Sequence, residues 1–263
     1  MNKAVYAEPR TVTDINDCYF YHTMEIPNYG VVRGEWDLRG GEASYLGNVN
    51  LQGKRVLEIG TASGFLCFTM EKMGAEVVAY DLSDEQGWDV VPYAGYDFNE
   101  HIAENKRHLR KLNNGFWLAH KAFNSKARVV YGAVYDIPDD IGQFDICTFG
   151  SILLHVRDPF LALQRVTAHV TDTVIVTDVI PKVRGMIISG VEFLTGSRLV
   201  RFVPNAKKQR PFETWWHLSP RVISEFLHIL GFPHQEVSHH RRGKSRLFTV
   251  VGRRARPRSS SSA

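Results

Sequence analysis

The stretch from Val56 to Met73 constrains the fold more than any other part of the chain. Val56-Leu57-Glu58-Ile59 is a short, mostly apolar run of strand character. Gly60-Thr61-Ala62-Ser63-Gly64 is a turn bounded by glycines, and Leu66 to Met73 reads as a helix. A strand, a tight loop and a helix N-terminus in that order are the geometry with which open α/β sheets bind nucleotide-like ligands. A second apolar run, Glu76-Val77-Val78-Ala79-Tyr80, ends at Asp81. That carboxylate stands about 20 residues beyond the first glycine, where it can meet ribose hydroxyls. Strand-like runs recur at Arg128–Val130, Phe144–Phe149 and Thr173–Thr177, and Phe160 to His169 is helical. Alternating strands and helices of this length predict an α/β fold with a parallel sheet covered on both faces.

Phosphate content separates the candidate ligands. A dinucleotide site uses Gly-x-Gly-x-x-Gly so that backbone can close on a pyrophosphate. Here the middle glycine is missing, there is no Walker lysine, and Glu58 would repel a phosphate. S-adenosylmethionine (SAM) suits the loop better, since it has a ribose for Asp81, no phosphate, and an ammonium and a sulfonium for Glu58. The same glycines also serve a purely structural strand-to-helix turn. Tyr135-Asp136, after the strand-like Arg128–Val130, supplies an aromatic and an acid of the kind that edge an adenine. Gly150-Ser151 ends another buried-type strand, followed by Ile152-Leu153-Leu154-His155-Val156-Arg157-Asp158-Pro159.

Over roughly residues 19–250 the chain resembles class I SAM-dependent methyltransferases, and within them the branch related to bacterial tRNA wobble-uridine (5-oxyacetate pathway) methyl and carboxymethyl transferases. The residues that carry the resemblance are Tyr21-His22-Thr23-Met24-Glu25-Ile26-Pro27, the Val56–Phe65 loop, Val134-Tyr135-Asp136, Gly150 to Pro159, and Trp215-Trp216 before a helix. The resemblance implies a Rossmann-like seven-stranded sheet, mostly parallel, closed by an antiparallel terminal hairpin. The two strands Gln235–Ser238 and Ser245–Val251, joined at Arg242-Gly243-Lys244, fit that hairpin. The carboxymethyl-transferring members carry a tyrosine just before the histidine of the Leu-His segment. This chain has Leu154 there, so ordinary SAM, with S-adenosylhomocysteine (SAH) as product, is the expected cofactor.

The cofactor-binding set expected from motif and resemblance is Glu58, Gly60, Thr61, Ala62, Gly64 and Asp81, then Leu82, Tyr135, Asp136, Gly150 and Ser151. Trp88 and Asp89 lie where a side chain would cover the adenosine. A sulfonium is already activated, so the protein need only hold a nucleophile in line and exclude water. A hydroxyl acceptor would still need a base. His155, just past the strand ending at Gly150-Ser151, is one candidate; packing or capping the helix that opens at Asp158 is its alternative role. His22, among Tyr19, Phe20 and Tyr21 with Glu25 three residues on, is the rival base, or else an aromatic-packed histidine. Tyr21, Glu25, Trp215 and Trp216 are the candidate substrate contacts, although tandem tryptophans also simply fill cores.

Three regions follow from these markers. Residues 1–50 are an N-terminal extension and a Gly-rich, aromatic cap. Residues 51–252 are the catalytic domain, with a lid inserted at about 182–217, a segment too long for a simple turn and a dimer surface in related folds. Residues 253–263 form a disordered basic, Ser-rich tail. With 263 residues and 44% hydrophobic content the composition is that of a soluble domain. No run is long enough to span a bilayer and the start is not signal-like, so a cytoplasmic location is expected. Cys18, Cys67 and Cys147 are scattered and odd in number, which predicts free thiols. His234, His239 and His240 lack a carboxylate or thiol partner at ligand spacing, so no metal is expected.

Charge is unevenly placed. The chain is +4 overall, yet no acid follows Glu236 while eight bases do, which leaves residues 1–236 at −4. With Lys106-Arg107-His108-Leu109-Arg110-Lys111, the C-terminal bases offer tRNA as an alternative partner; a solvated helix face and a free tail explain the same residues. The sequence thus points to methyl transfer onto an oxygen, or in second place a nitrogen, of a small metabolite or natural-product intermediate. The alternatives are a tRNA wobble 5-hydroxyuridine acceptor and a non-catalytic SAM-binding scaffold. No Gly-x-Ser-x-Gly elbow or Cys/His pair marks a hydrolase.

Overall fold

In the computed structural model, which describes residues 5–181, 190–192, 194–208 and 213–255, seven strands form one sheet. Two short strands come first, β1 (Met24–Ile26) and β2 (Gly30–Val32), paired as a separate antiparallel hairpin, and then a one-turn helix α1 (Glu42–Tyr45). The main sheet follows with β3 (Arg55–Ile59), helix α2 (Phe65–Lys72), β4 (Glu76–Asp81), helix α3 (Asn99–Ala122) and β5 (Arg128–Tyr131). β6 (Phe144–Gly150), α4 (Pro159–Thr167) and β7 (Val170–Ile180) come next. A small pair, β8 (Val200–Phe202) with β9 (Trp216–Leu218), precedes α5 (Pro220–Ile229), β10 (His234–Arg242) and β11 (Ser245–Arg253).

The sheet order is β10-β11-β7-β6-β3-β4-β5, and only the β11 pairings are antiparallel. This is the expected Rossmann-like α/β sheet with its terminal hairpin. Period-two alternation assigns the faces. Val56, Val77, Ala79 and Ile146 pack with α2 and α3, whereas Leu57, Ile59, Val78 and Phe149 pack with α4 and α5. β3 lies between β4 and β6, so the chain leaves it in two directions, and the crevice at the carboxyl ends of β3 and β6 is a topological switch point.

Local chemistry sets the helix starts. Asp158 accepts from the Leu161 N–H and Ser219 from the Val222 N–H, each followed by proline in the first turn. Gly64 opens α2 at φ +89°, and a Cβ there would meet the Phe68 and Phe116 rings. The basic run of residues 106–111 is part of the 24-residue α3, whose buried Asn105, Leu109, Leu112, Phe116 and Ala119 recur at helical spacing.

Several sequence expectations change here. Residues 5–18, which show no clear period in the sequence, are held to the sheet: Ala7 N–H donates to the Val129 carbonyl at 2.8 Å, the Tyr6 ring lies under Arg128, and Ile15–Asp17 make a 3-10 turn. β5 is an edge strand, and its open backbone groups take the segment as a partner. At the other end, Arg253 belongs to β11 and pairs with Glu236, and Arg254 donates to the Val170 and Thr167 carbonyls. The expected tail from 256 onward, and lid residues 182–189, 193 and 209–212, lie outside the described residues. Cys18, Cys67 and Cys147 are free thiols, the latter two buried. Among the described residues no helix is long and apolar enough to cross a membrane.

Candidate active site

A cavity of about 500 Å³ opens at the switch point, within the range of small-ligand sites. Its floor is backbone: Gly60 and Ala62 from the turn after β3, Gly150 and Ser151 from the end of β6. Gly60 has φ +77°, and a Cβ on it would lie 2.1 Å from the Ile152 Cδ1 atom. Ala62 and Ser151 hold φ of +51° and +54°, uncommon for residues with a Cβ and a mark of a site that over-determines its backbone.

Asp81 ends β4 at the cavity wall and braces this floor. Its Oδ2 accepts from the Ala62 N–H and its Oδ1 from the Leu82 N–H, both at 2.7 Å. Burial pushes its carboxyl up to about 6, while the two N–H donors pull it back. Leu82 and Tyr135 also line the cavity. Asp89 fixes the far wall: its Oδ2 accepts from the Tyr135 hydroxyl and, at 2.8 Å, from the Arg157 N–H, and its carbonyl accepts from the Trp215 indole N–H at 2.5 Å.

Both candidate bases reach the cavity. His155 lies 3.1 Å through Nδ1 from the Glu213 carbonyl. A carbonyl only accepts, so Nδ1 carries the hydrogen and Nε2 keeps the lone pair. Burial lowers the pKa of the ring, and the Glu213 hydrogen bond and charge oppose that shift. The Glu213 carboxylate is itself 3.2 Å from His101 Nε2. His22 is 9% exposed, and its Nδ1 is buried without a hydrogen-bond partner. Burial lowers its pKa to about 4, so it is neutral at physiological pH.

Other expected site residues are placed elsewhere. Glu58 projects to the α2 side of β3, because its neighbours Leu57 and Ile59 face α4 and α5. Its carboxyl accepts from Thr61 Oγ1 at 2.7 Å and is raised by burial to about 8. It borders a small void behind Gly60, where it pins the turn without lining the main cavity. Thr61 and Gly64 likewise shape the turn from within. Asp136 is outside the cavity lining, its carbonyl 3.4 Å from the Tyr80 hydroxyl. Tyr21 lines the cavity, but Glu25 is exposed on β1. Trp215 is buried behind Asp89, and Trp216 donates to the Arg157 carbonyl, so both back the wall without facing the cavity.

Tyr19, Glu35, Trp36, Tyr45, His108 and Glu213 line the cavity and escaped sequence reading as a group. They come from three distant segments, and only the aromatic density of residues 19–45 hinted at them. The segment is held by backbone: Tyr21 N–H donates to Ser63 Oγ, Trp36 N–H to the Tyr21 carbonyl, and Thr23 N–H to the Trp36 carbonyl. Gly34 permits that approach, since a Cβ there would sit 2.5 Å from the His22 carbonyl carbon and 2.6 Å from the Tyr21 oxygen. Gly34→Ala is therefore expected to cost about 1–3 kcal/mol by forcing backbone apart. Gly87→Ala, where a Cβ meets nothing within 4 Å, is expected to stay within about 0.5 kcal/mol. Denaturant unfolding of both variants checks this, and equal stabilities would refute the close-approach argument.

Residues 41–229 match the family described as "Methyltransferase domain", which is most of the chain and includes the turn, Asp81, Gly150-Ser151 and His155. The chain belongs to this methyltransferase family. No curated protein matches its sequence. Among solved structures, the methyltransferase domain is similar to the N-terminal domain of EvdMO1 with SAH bound (18% identity, covering 89% of this chain and 90% of that one, TM-score 0.55). It is also similar to 1,6-didemethyltoxoflavin-N1-methyltransferase from Burkholderia thailandensis, with its substrate and SAH bound (15%, 83% and 78%, TM-score 0.52). A third is magnesium protoporphyrin IX methyltransferase (ChlM) from Synechocystis PCC 6803, with bound SAH (14%, 81% and 80%, TM-score 0.51). At these identities the likeness is one of fold.

Proposed function

We propose that this methyltransferase domain uses SAM to methylate an oxygen, or in second place a nitrogen, of a small molecule. One observation carries the reading: a single cavity runs from the Gly60–Ala62 turn and Asp81 to His155 and an aromatic wall. The residues fit the cofactor. Gly60 and Ala62 present backbone to the cavity, and Asp81 keeps lone pairs beyond its two backbone donors for a ribose diol. When bound, SAM supplies a methyl group already activated on a sulfonium. SAH in the solved structures of similar fold agrees with this assignment.

The chain's own residues then have limited work. The aromatic cap excludes water and orients the acceptor. His155 Nε2 takes the acceptor's proton, with Glu213 fixing the tautomer through Nδ1. His22, neutral and of low basicity, is a hydrogen-bonding group and not the base in this reading.

Titration calorimetry with SAM and with SAH tests the cofactor, with a stoichiometry near one expected and no binding at sub-millimolar SAM overturning it. SAH release with small-molecule acceptors or bulk tRNA at low salt separates the acceptor classes. Binding of SAM with no turnover on either would restore the scaffold reading. The tRNA reading has lost part of its basic face to ion pairs and packing: Arg110 is bound to Asp84, Arg253 to Glu236, and Arg242 packs on Gly41.

A further inference from the structure

The cavity has a wall of rings that come together only in the fold. Tyr19 and His108 have ring centroids 4.3 Å apart, and Trp88 follows at 5.5 Å from His108. The three come from the N-terminal segment, α3 and the loop after Asp81, and all line the cavity. Packed rings of this kind stack flat molecules face-on or edge-on, with a gain beyond area burial that an aliphatic chain does not share.

The charged side chains that line the cavity share one sign. Glu35, Asp81, Asp89 and Glu213 line the cavity, and no lysine or arginine does so among the described residues. Glu35 stands at the exposed mouth beside the wall, accepting from the Tyr19 hydroxyl. A carboxylate has further acceptor sites on its two oxygens after one such bond.

Resting on the proposed function, we infer that the acceptor is a planar, fused-ring molecule of neutral or positive charge that offers an N–H or O–H to Glu35. An anionic acceptor would bring its charge among four carboxylates in a site partly shielded from water, where like charges repel strongly. The three histidines of the lining do not relieve this repulsion, because burial lowers the pKa of His22, His108 and His155.

A matched series isolates charge at constant ring size: 5-hydroxyindole (neutral), 5-hydroxytryptamine (cationic) and 5-hydroxyindole-3-acetate (anionic). Binding of each is measured by ligand-observed NMR on the full chain, with and without saturating SAH, so that no turnover intervenes. The neutral and cationic probes are expected to bind at least about tenfold more tightly than the anionic one, a gap of about 1.4 kcal/mol. Glu35→Gln is expected to shrink the cation-to-anion ratio severalfold while leaving SAH binding unchanged, and Tyr19→Phe to keep the ratio. A preference for the anion, no binding of the neutral and cationic probes, or a ratio indifferent to Glu35→Gln each overturns the inference. Failure of SAH to bind instead overturns the cofactor reading, and the probe ranking on the free protein then still decides the charge preference.

Discussion

Replacing Asp81 by alanine is expected to weaken SAM binding by about 100-fold or more. Hydrogen bonds to a charged group contribute about 1.5–3 kcal/mol each, and two to a ribose diol already exceed that factor. The substitution also removes the acceptor for the Ala62 and Leu82 N–H groups, both 2.7 Å away. Ala62 at φ +51° is then free to relax, and the floor loses its shape. The sheet should survive, since Val78, Ala79 and Tyr80 keep β4 in the core. Calorimetry with SAM, beside circular dichroism to confirm the fold, decides the matter. A dissociation constant within threefold of the unaltered protein would show that the cofactor does not sit against this carboxylate.

His155→Gln is expected to lower kcat by about 10²–10⁴-fold with the affinity for SAM within about twofold, as for removal of a general base. The pH profile adds a signature that packing alone cannot give. The base acts as the neutral ring, and burial holds its pKa below the ordinary 6.5. Activity should therefore persist as pH falls past 6.5 and drop only at more acidic pH, where the ring protonates. Glu213 opposes the lowering, so Glu213→Gln should move the acid limb further down in pH. An acid limb above 6.5, or a His155→Gln enzyme with unaltered turnover, would assign the proton to another group.

The part of the cavity proposed for the cofactor was legible because it is local. A turn between a strand and a helix needs glycine where φ is positive, and the acid that braces it ends the next strand, so Gly60, Ala62 and Asp81 meet through short-range geometry alone. The part proposed for the acceptor was not legible. The sequence offers Glu25 as a substrate contact, but β1 pairs with β2 and turns Glu25 outward between buried Met24 and Ile26. Trp215 and Trp216 are likewise offered as substrate contacts, yet their indole N–H groups are drawn to the Asp89 and Arg157 carbonyls behind the cavity wall.

Alternation of strands and helices was enough to set the sheet, its parallel core and the crevice beside β3, because each element's hydrophobic period tells which face it must bury. Which side chains line the rest of the cavity was decided by contacts between residues far apart in the chain. Tyr19 reaches His108 because its N–H donates to the Lys111 carbonyl on α3 and Gly115 leaves space for its carbonyl. Glu213 reaches His155 across 58 residues. Such pairings carry no periodic signal in the sequence, since each depends on how two separately folded segments pack.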